Sequence, residues 1–262
     1  VALIRRPKGD PMELLHLTWP EARDAIRSAG IALLPVGAVE QHGPHLPLGT
    51  DLFIARWITD RAIESRRWIR LPEIAVGASE EHRQFWGTLW VSPDRLRDQS
   101  EALADAAASH GIRRIVFVNG HGGNAGPLAD AARRLRHRDI HAYVYNWWIS
   151  IRDLLSSLFP DPTAHAGSIE TSAMLAIDPD AVRFDRIREA DPAREWGVRV
   201  EGVEVASDAI EFTASGNVGD PALADPDAGR RILDEAAGRL VRFGDWLSDR
   251  PDRALRPRPH LP

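Results

Sequence analysis

A largely parallel α/β sheet covered by helices on both faces is the fold this sequence predicts. Short apolar runs of strand length alternate with amphipathic segments at the spacing of βαβ units. The 262 residues, 44% apolar and 27% charged, supply enough apolar side chains for one large core. No apolar run approaches the ~18 residues of a membrane span.

The elements follow in order. Residues 31–36, Ile-Ala-Leu-Leu-Pro-Val, read as a buried strand. Residues 51–65 read as a helix, because Leu52, Ile54, Ala55, Ile58, Ala62 and Ile63 recur at helical spacing. Residues 69–76 form a second strand, weakened by Pro72. Ser92 caps a helix with Pro93 in its first position; that helix runs to His110 and stops at Gly111. Residues 112–118 are the clearest strand, with Arg113 and Arg114 at its start. A helix over 124–136 and a strand over 140–145 complete the alternation. The stretch 190–227, rich in Gly, Asp and Ala, shows no period. A last helix over 226–247 carries Ile232, Leu233, Ala236, Leu240, Val241 and Phe243 on one face. No linker divides the chain, so residues 1–249 are expected to form one domain. Residues 250–262 hold four prolines and are expected to be a loose tail.

Charge and cysteine usage narrow the function classes. With 33 basic and 38 acidic residues the net charge is −5, so neither nucleic acid nor a membrane surface is the expected partner. Arg66-Arg67 and Arg133-Arg134 are short pairs on solvated faces. The absence of cysteine excludes disulfides, thiolate zinc sites and a Cys nucleophile. No signal-peptide pattern opens the sequence, and a cytoplasmic protein is expected. No Gly-x-Ser-x-Gly elbow and no Gly-x-Gly-x-x-Gly turn is present, which disfavours a serine hydrolase and a dinucleotide cofactor.

Three segments that follow apolar runs carry candidate chemistry. In Glu40-Gln-His42-Gly-Pro-His45-Leu-Pro-Leu-Gly-Thr-Asp51, Glu40 and His42 leave an extended backbone on the same side. The Gly- and Pro-rich loop after them can return Asp51 to the same place. That set suits Zn²⁺, Mn²⁺ or Fe²⁺, although a capped loop with hydrogen-bonded histidines explains it as well. Asn119-Gly-His121-Gly-Gly-Asn124 lies between a strand and a helix; it reads as a metal-binding His121 or as a simple polar turn. In His165-Ala-Gly-Ser-Ile-Glu170-Thr-Ser172, Glu170 falls in the first turn of a helix, either answering the helix dipole or facing a site with His165 as acid or base. A fourth segment, Ser79-Glu80-Glu81-His82 before Phe85-Trp86-Gly87-Thr88, lines a pocket or is an exposed loop. Three strand-end segments bearing His with Glu, Asp or Asn favour a shared pocket over three unrelated turns.

These segments, together with Pro35-Val-Gly-Ala-Val before Glu40 and Gly219-Asp220-Pro221, resemble the creatininase family of metal-dependent amidohydrolases over residues 15–247. The resemblance implies a three-layer α/β/α sandwich with a largely parallel mixed sheet, two divalent ions per chain (Zn, Mn or Fe) and a homo-oligomer, usually a hexamer. It implies Glu40, His42, Asp51 and His121 as ligands with Asp51 bridging, Glu170 completing the second ion and taking part in catalysis, and His165 assisting proton transfer. His82, Trp147, Trp148, Gly122, Gly123 and Asn124 are the expected substrate-side residues. Trp86 and Trp90 are candidates for an interface.

The chain departs from creatininase itself at Gly123, where that enzyme has Glu, at Gly122, where it has an aromatic residue, and at Asp161, where it has Trp. A common Phe-Pro-Gly-Thr is Phe85-Trp86-Gly87-Thr88 here. Creatinine is therefore not the leading substrate. The expected reaction is hydrolysis of a C–N bond in a small amide, cyclic amide or formamide through a metal-activated water. Other branches of the family deformylate a pyrimidine, trim a mycofactocin precursor peptide or hydrolyse a keto-inositol. A non-catalytic, metal-stabilised binding protein is the alternative from another class.

Overall fold

The structure is a computed structural model and describes residues 12–160, 165–190 and 195–258. Five strands, β1 (Met12–Glu13), β2 (Ala32–Val36), β3 (Ile69–Arg70), β4 (Arg114–Asn119) and β5 (His141–Asn146), form one sheet in the order β1-β3-β2-β4-β5. Every ladder in it is parallel. Among the described residues antiparallel pairing is confined to a separate ribbon, β6 (Val198–Val200) with β7 (Val203–Val205), and to isolated bridges such as His165 with Val218.

Both faces of the sheet are buried, which is why its strands read as continuous apolar runs. Ile31 and Leu33 face one core with Val116, Val118 and Tyr145; helices α2 (Thr50–Ser65), α7 (Ser168–Ile177) and α8 (Pro226–Ser248) cover it. Ala32, Leu34 and Val36 face the other with Ile115 and Phe117, under α3 (Pro93–Ser109) and α4 (Ala125–Arg136). The three-layer α/β/α architecture is thus present. From β2 the chain moves outward through α2 to β3, then returns through α3 past β2 to β4. A right-handed crossover puts the helix on opposite faces for opposite directions of travel. The reversal leaves a crevice between the carboxyl ends of β2 and β4, where ligands of open α/β sheets bind.

Several expectations need amendment. The strand expected over 69–76 ends at Arg70, because Pro72 has no N–H to continue the ladder; Ile74 rejoins β2 only through a bridge to Val36. Helix α1 (Trp19–Ser28) was not anticipated, though its start signal was present: Thr18 N–H donates to Glu21 Oε2 at 2.7 Å, with Pro20 in the first turn. Two further short helices, α5 (Trp147–Ser150) and α6 (Arg152–Leu158), follow β5 directly. Through residue 258 the tail is exposed apart from Leu255 but is tied to the body of the protein. Asp252–Leu255 forms α9, Leu255 is buried, and the Arg114 guanidinium donates to Asp252 Oδ1 at 2.7 Å and to the Leu247 and Arg250 carbonyls. Asp161 and residues 259–262 lie outside the described residues. Trp86 is 98% exposed and Trp90 41% exposed. No described helix is long and apolar enough to cross a membrane.

Candidate metal centre and pocket

Four elements deliver the site. After β2 the loop folds back, with Glu40 N–H donating to Leu48 O, so that Asp51 in the first turn of α2 returns to Glu40 and His42. After β4, Asn119 locks the turn: its Nδ2 donates to His121 O at 2.8 Å, and its Oδ1 accepts from His121 N–H at 3.1 Å. Before α7, Ala166 is held at φ 50°, a strained conformation for a residue with a Cβ. That conformation aims its N–H at Glu170 Oε2, 2.6 Å away. Finally, a 3-10 turn at Glu80–His82 brings in His82.

The side chains converge on buried space. Glu40 and His42 are fully buried, and Asp51 is 2% exposed. His42 Nδ1 lies 3.1 Å from Glu40 O, and His121 Nε2 lies 3.0 Å from Ala78 O. A carbonyl only accepts, so these nitrogens carry the ring protons. Each histidine is left with a bare lone pair turned toward carboxylate oxygens. His42 Nε2 is 3.2 Å from Asp51 Oδ1 and 3.7 Å from Glu170 Oε2. His121 Nδ1 is 3.1 Å from Glu40 Oε1 and 3.4 Å from Asp51 Oδ2. Both Glu40 oxygens and Asp51 Oδ2 are buried without a hydrogen-bond partner among the described residues. Lone pairs facing lone pairs require a cation between them, a proton or a metal ion. The donor sets Glu40–Asp51–His121 and His42–His165–Glu170 each bring one atom per residue within 4.8 Å of the others, the spacing a metal ion needs. Histidines tied by their far nitrogen to a backbone carbonyl are the usual form of metal-ligating histidine.

Without a metal the cluster must hold protons. Burial pushes Glu40 up to about 7 and Glu170 up to about 6. For His42 burial favours the neutral ring, but the Asp51 carboxylate outweighs it and holds His42 at about 10. His121 is raised for the same reasons, with Glu40 the main partner. Burial lowers Asp51's acidity, yet His42 and His121 together bring its pKa below the usual carboxylate range. Burial, and then neighbouring positive histidines, depress His82 to about 3 and His165 well below its ordinary value.

These shifts fix a pH dependence for the metal-free protein. Between pH 3 and 6.5 the terms oppose: Glu40 and Glu170 hold extra protons in the folded state, while His82 and His165 hold fewer. Above pH 7 the remaining shifted members of this cluster are His42 and His121, both protonated when folded and neutral when unfolded. More protons bound in the folded state means stability falls as pH rises. We expect the melting temperature of chelator-treated protein to fall from pH 7 to 10, and the increment on adding Zn²⁺ to grow, since metal displaces those protons. A flat profile in differential scanning fluorimetry would refute this account of the cluster.

The cluster opens into a pocket of about 470 Å³, within the usual range for small-molecule sites. Of the residues expected on the substrate side, His82, Trp147, Trp148, Gly122 and Gly123 line it. Asn124 does not. It is fully buried, its Oδ1 accepting from Ala78 N–H at 2.9 Å and its Nδ2 donating to Gly37 O at 3.0 Å, so it staples the β2 end to the His82 turn. Glu81, in the segment read either as pocket lining or as an exposed loop, does line it, and Arg152 and Trp196 join it without a role foreseen from the sequence. Glu81 lies 3.7 Å from His121 Nε2, and a Cβ built at Gly123 would stand 3.2 Å from its Oε1. Arg152 comes from α6. Trp196 packs on His82 and His165 at ring distances of 5.3 and 5.5 Å. It belongs to the aperiodic stretch, where only its size hinted at a site.

Fold and pocket define the class: an α/β protein with a buried histidine–carboxylate cluster at the switch point of a parallel sheet. The family model described as "Creatinine amidohydrolase" (Creatininase) matches residues 15–243, and the chain belongs to the creatininase family. It is a hydrolase of that family. It is 36% identical over 247 residues to a "Mycofactocin precursor peptide peptidase" of Mycobacterium ulcerans (strain Agy99), covering 87% of this chain and 88% of the relative. It is 29% identical over 198 residues to a "Creatinine amidohydrolase" of Pseudomonas putida, covering 68% and 76%. A crystal structure of creatinine amidohydrolase (creatininase) shares the fold, with a TM-score of 0.79 at 24% identity over 92% of this chain and 99% of the other.

Proposed function

We propose that this chain hydrolyses an amide C–N bond with two divalent ions, one held by Glu40, Asp51 and His121 and the other by His42, Asp51 and Glu170. The observation that supports this reading is a pair of buried histidine nitrogens turned toward carboxylate oxygens, of which both on Glu40 and Oδ2 of Asp51 have no hydrogen-bond partner among the described residues. Zn²⁺, Mn²⁺ and Fe²⁺ all suit that donor set. Such ions would supply a Lewis acid for the carbonyl and a water of pKa near ~7.

The chain's own residues do the rest. Trp147, Trp148 and Trp196 give the pocket aromatic walls that exclude water and seat a flat or apolar substrate. The buried Trp147 Nε1–H has no hydrogen-bond partner among the described residues. His165, which lines the pocket with Nδ1 3.9 Å from Glu40 Oε1, is our candidate for moving a proton to the leaving nitrogen, a role worth typically ~10²–10⁴-fold.

The substrate is either a small amide, cyclic amide or formamide, or the amide bond of a short precursor peptide. Two observations favour the peptide. The 36%-identical relative is named for one, and Gly122 and Gly123 leave the pocket wall without side chains where creatininase carries large ones. Elemental analysis should find about two ions per chain, and mass spectrometry of products from formamides, cyclic amides and modified peptides should show water added across a C–N bond. Cleavage of a C–C bond in a keto-polyol would overturn the reaction class. A chain without metal and without turnover would favour a binding protein. The family resemblance also supports a homo-oligomer with the exposed Trp86 at an interface, which sedimentation would test.

A further inference from the structure

Gln41 sits in sequence between two of the proposed ligands, yet its buried side chain is directed elsewhere. Its Oε1 accepts from Gly43 N–H at 2.9 Å, and its Nε2 donates to Gly216 O at 2.7 Å. A backbone N–H only donates and a carbonyl only accepts, so these two contacts fix which way the amide faces. The same Nε2 lies 2.7 Å from His82 Nδ1 and 3.0 Å from His165 Nε2. An amide nitrogen has two hydrogens, and Gly216 takes one. One hydrogen remains for two histidines.

A fourth contact decides between them. His165 Nε2 is 3.0 Å from the Gln41 backbone oxygen. With its proton on Nε2, His165 donates to that oxygen, and the free Gln41 hydrogen goes to His82 Nδ1. The opposite choice sets a bare His165 Nε2 against a carbonyl oxygen and leaves His82 Nδ1 without its donor at 2.7 Å.

We propose that Gln41 is a positioning residue that sets the tautomers of two pocket histidines: His82 carries its proton on Nε2, and His165 carries its proton on Nε2 and presents a bare Nδ1. The consequence for His82 is a buried N–H donor with no hydrogen-bond partner, 3.6 Å from Glu40 Oε1, in a ring that lines the pocket. The consequence for His165 is a lone pair facing the cluster, with Nδ1 3.9 Å from Glu40 Oε1. If the amide-hydrolase reading holds, Nδ1 first accepts a proton from the attacking water as the new C–O bond forms. It returns that proton to the leaving nitrogen as the C–N bond breaks, so the ring ends as it began. Gly216 is part of the device: at φ 88° it has no Cβ, and a Cβ there would collide with Gln41 Oε1.

The test is ¹⁵N NMR of the histidine rings in protein loaded with diamagnetic Zn²⁺, with signals assigned through His82→Gln and His165→Gln. We expect Nε2 protonated and Nδ1 unprotonated in both rings. In Gln41→Glu the new oxygen cannot donate, and the His82 proton should move to Nδ1. A substrate turned over by the parent enzyme should then show kcat lower by roughly 10–100-fold with little change in KM, the scale of losing a partner that orients a site residue. Wild-type protein with either ring protonated on Nδ1 would overturn the proposal, and so would an unchanged His82 signal in folded Gln41→Glu. If the variant does not fold, the wild-type spectrum decides alone. The stated tautomers without amide turnover would remove the hydrolase reading and leave this assignment standing.

Discussion

Asp51→Ala is expected to empty the pocket of bound metal and to lower kcat/KM by about a thousandfold. Asp51 turns Oδ1 toward His42 and Oδ2 toward His121, so one substitution opens both proposed ion positions. Losing about 4 kcal/mol of transition-state stabilisation, the scale of Lewis-acid assistance, corresponds to about three powers of ten. The same variant carries a second readout that does not depend on activity. His42 and His121 lose a shared charge partner, so the decline of metal-free stability above pH 7 should flatten. Elemental analysis and thermal scans at several pH values measure both effects. A variant with full metal content and full turnover would remove Asp51 from the centre.

Gly120→Ala is expected to damage the site nearly as much, although Gly120 carries no functional group. Its N–H donates to Val36 O at 2.8 Å, which holds the ends of β2 and β4 together. A Cβ at this position would collide with the Asp51 backbone at the start of α2. Backbone cannot swing away as a flexible side chain can, so the start of α2 must retreat from β4. Overpacking of this kind costs about 1–3 kcal/mol of stability. A misplacement on the order of 1 Å at a catalytic group costs about 100-fold in rate. We therefore expect reduced metal content and a hundredfold or greater loss of kcat/KM. Gly126→Ala, on α4 with nothing near its added methyl, is the control and should leave both unchanged. Equal behaviour of the two variants would show that the α2–β4 approach does not position Asp51.

Local signals made much of the fold legible. Strands β2 and β4 are buried on both faces and the edge strand β5 is partly buried, so their apolar runs stood out against the amphipathic helices between them. Helix α3 announced itself through Ser92 and Pro93, and the Ser92 side chain does accept from Arg95 N–H. The two-residue strand β1 is too short to leave a pattern; β3 was legible at the start of 69–76, and Pro72 ends it for a chemical reason that was visible in advance. The candidate site divides in the same way. Glu40, His42, Asp51, His121, His165 and Glu170 sit in compact motifs after strands or before a helix, and the structure brings all six together. Asn124 belongs to one of those motifs but turns its amide into the scaffold.

By itself the sequence determined the βαβ alternation from β2 to β5, the identity of the side chains delivered to the carboxyl edge of the sheet, and the family. Those features arise from neighbours in the chain: apolar period, capping residues, and glycines and prolines beside a ligand. Only the tertiary structure decided which nitrogen of each histidine faces the cluster. That choice rests on carbonyls at Glu40, Gln41, Ala78 and Gly216, all but the first far in sequence from the side chain each one holds. A hydrogen bond to a backbone oxygen depends on where that oxygen points. Nothing in the residue type that carries the oxygen records its direction.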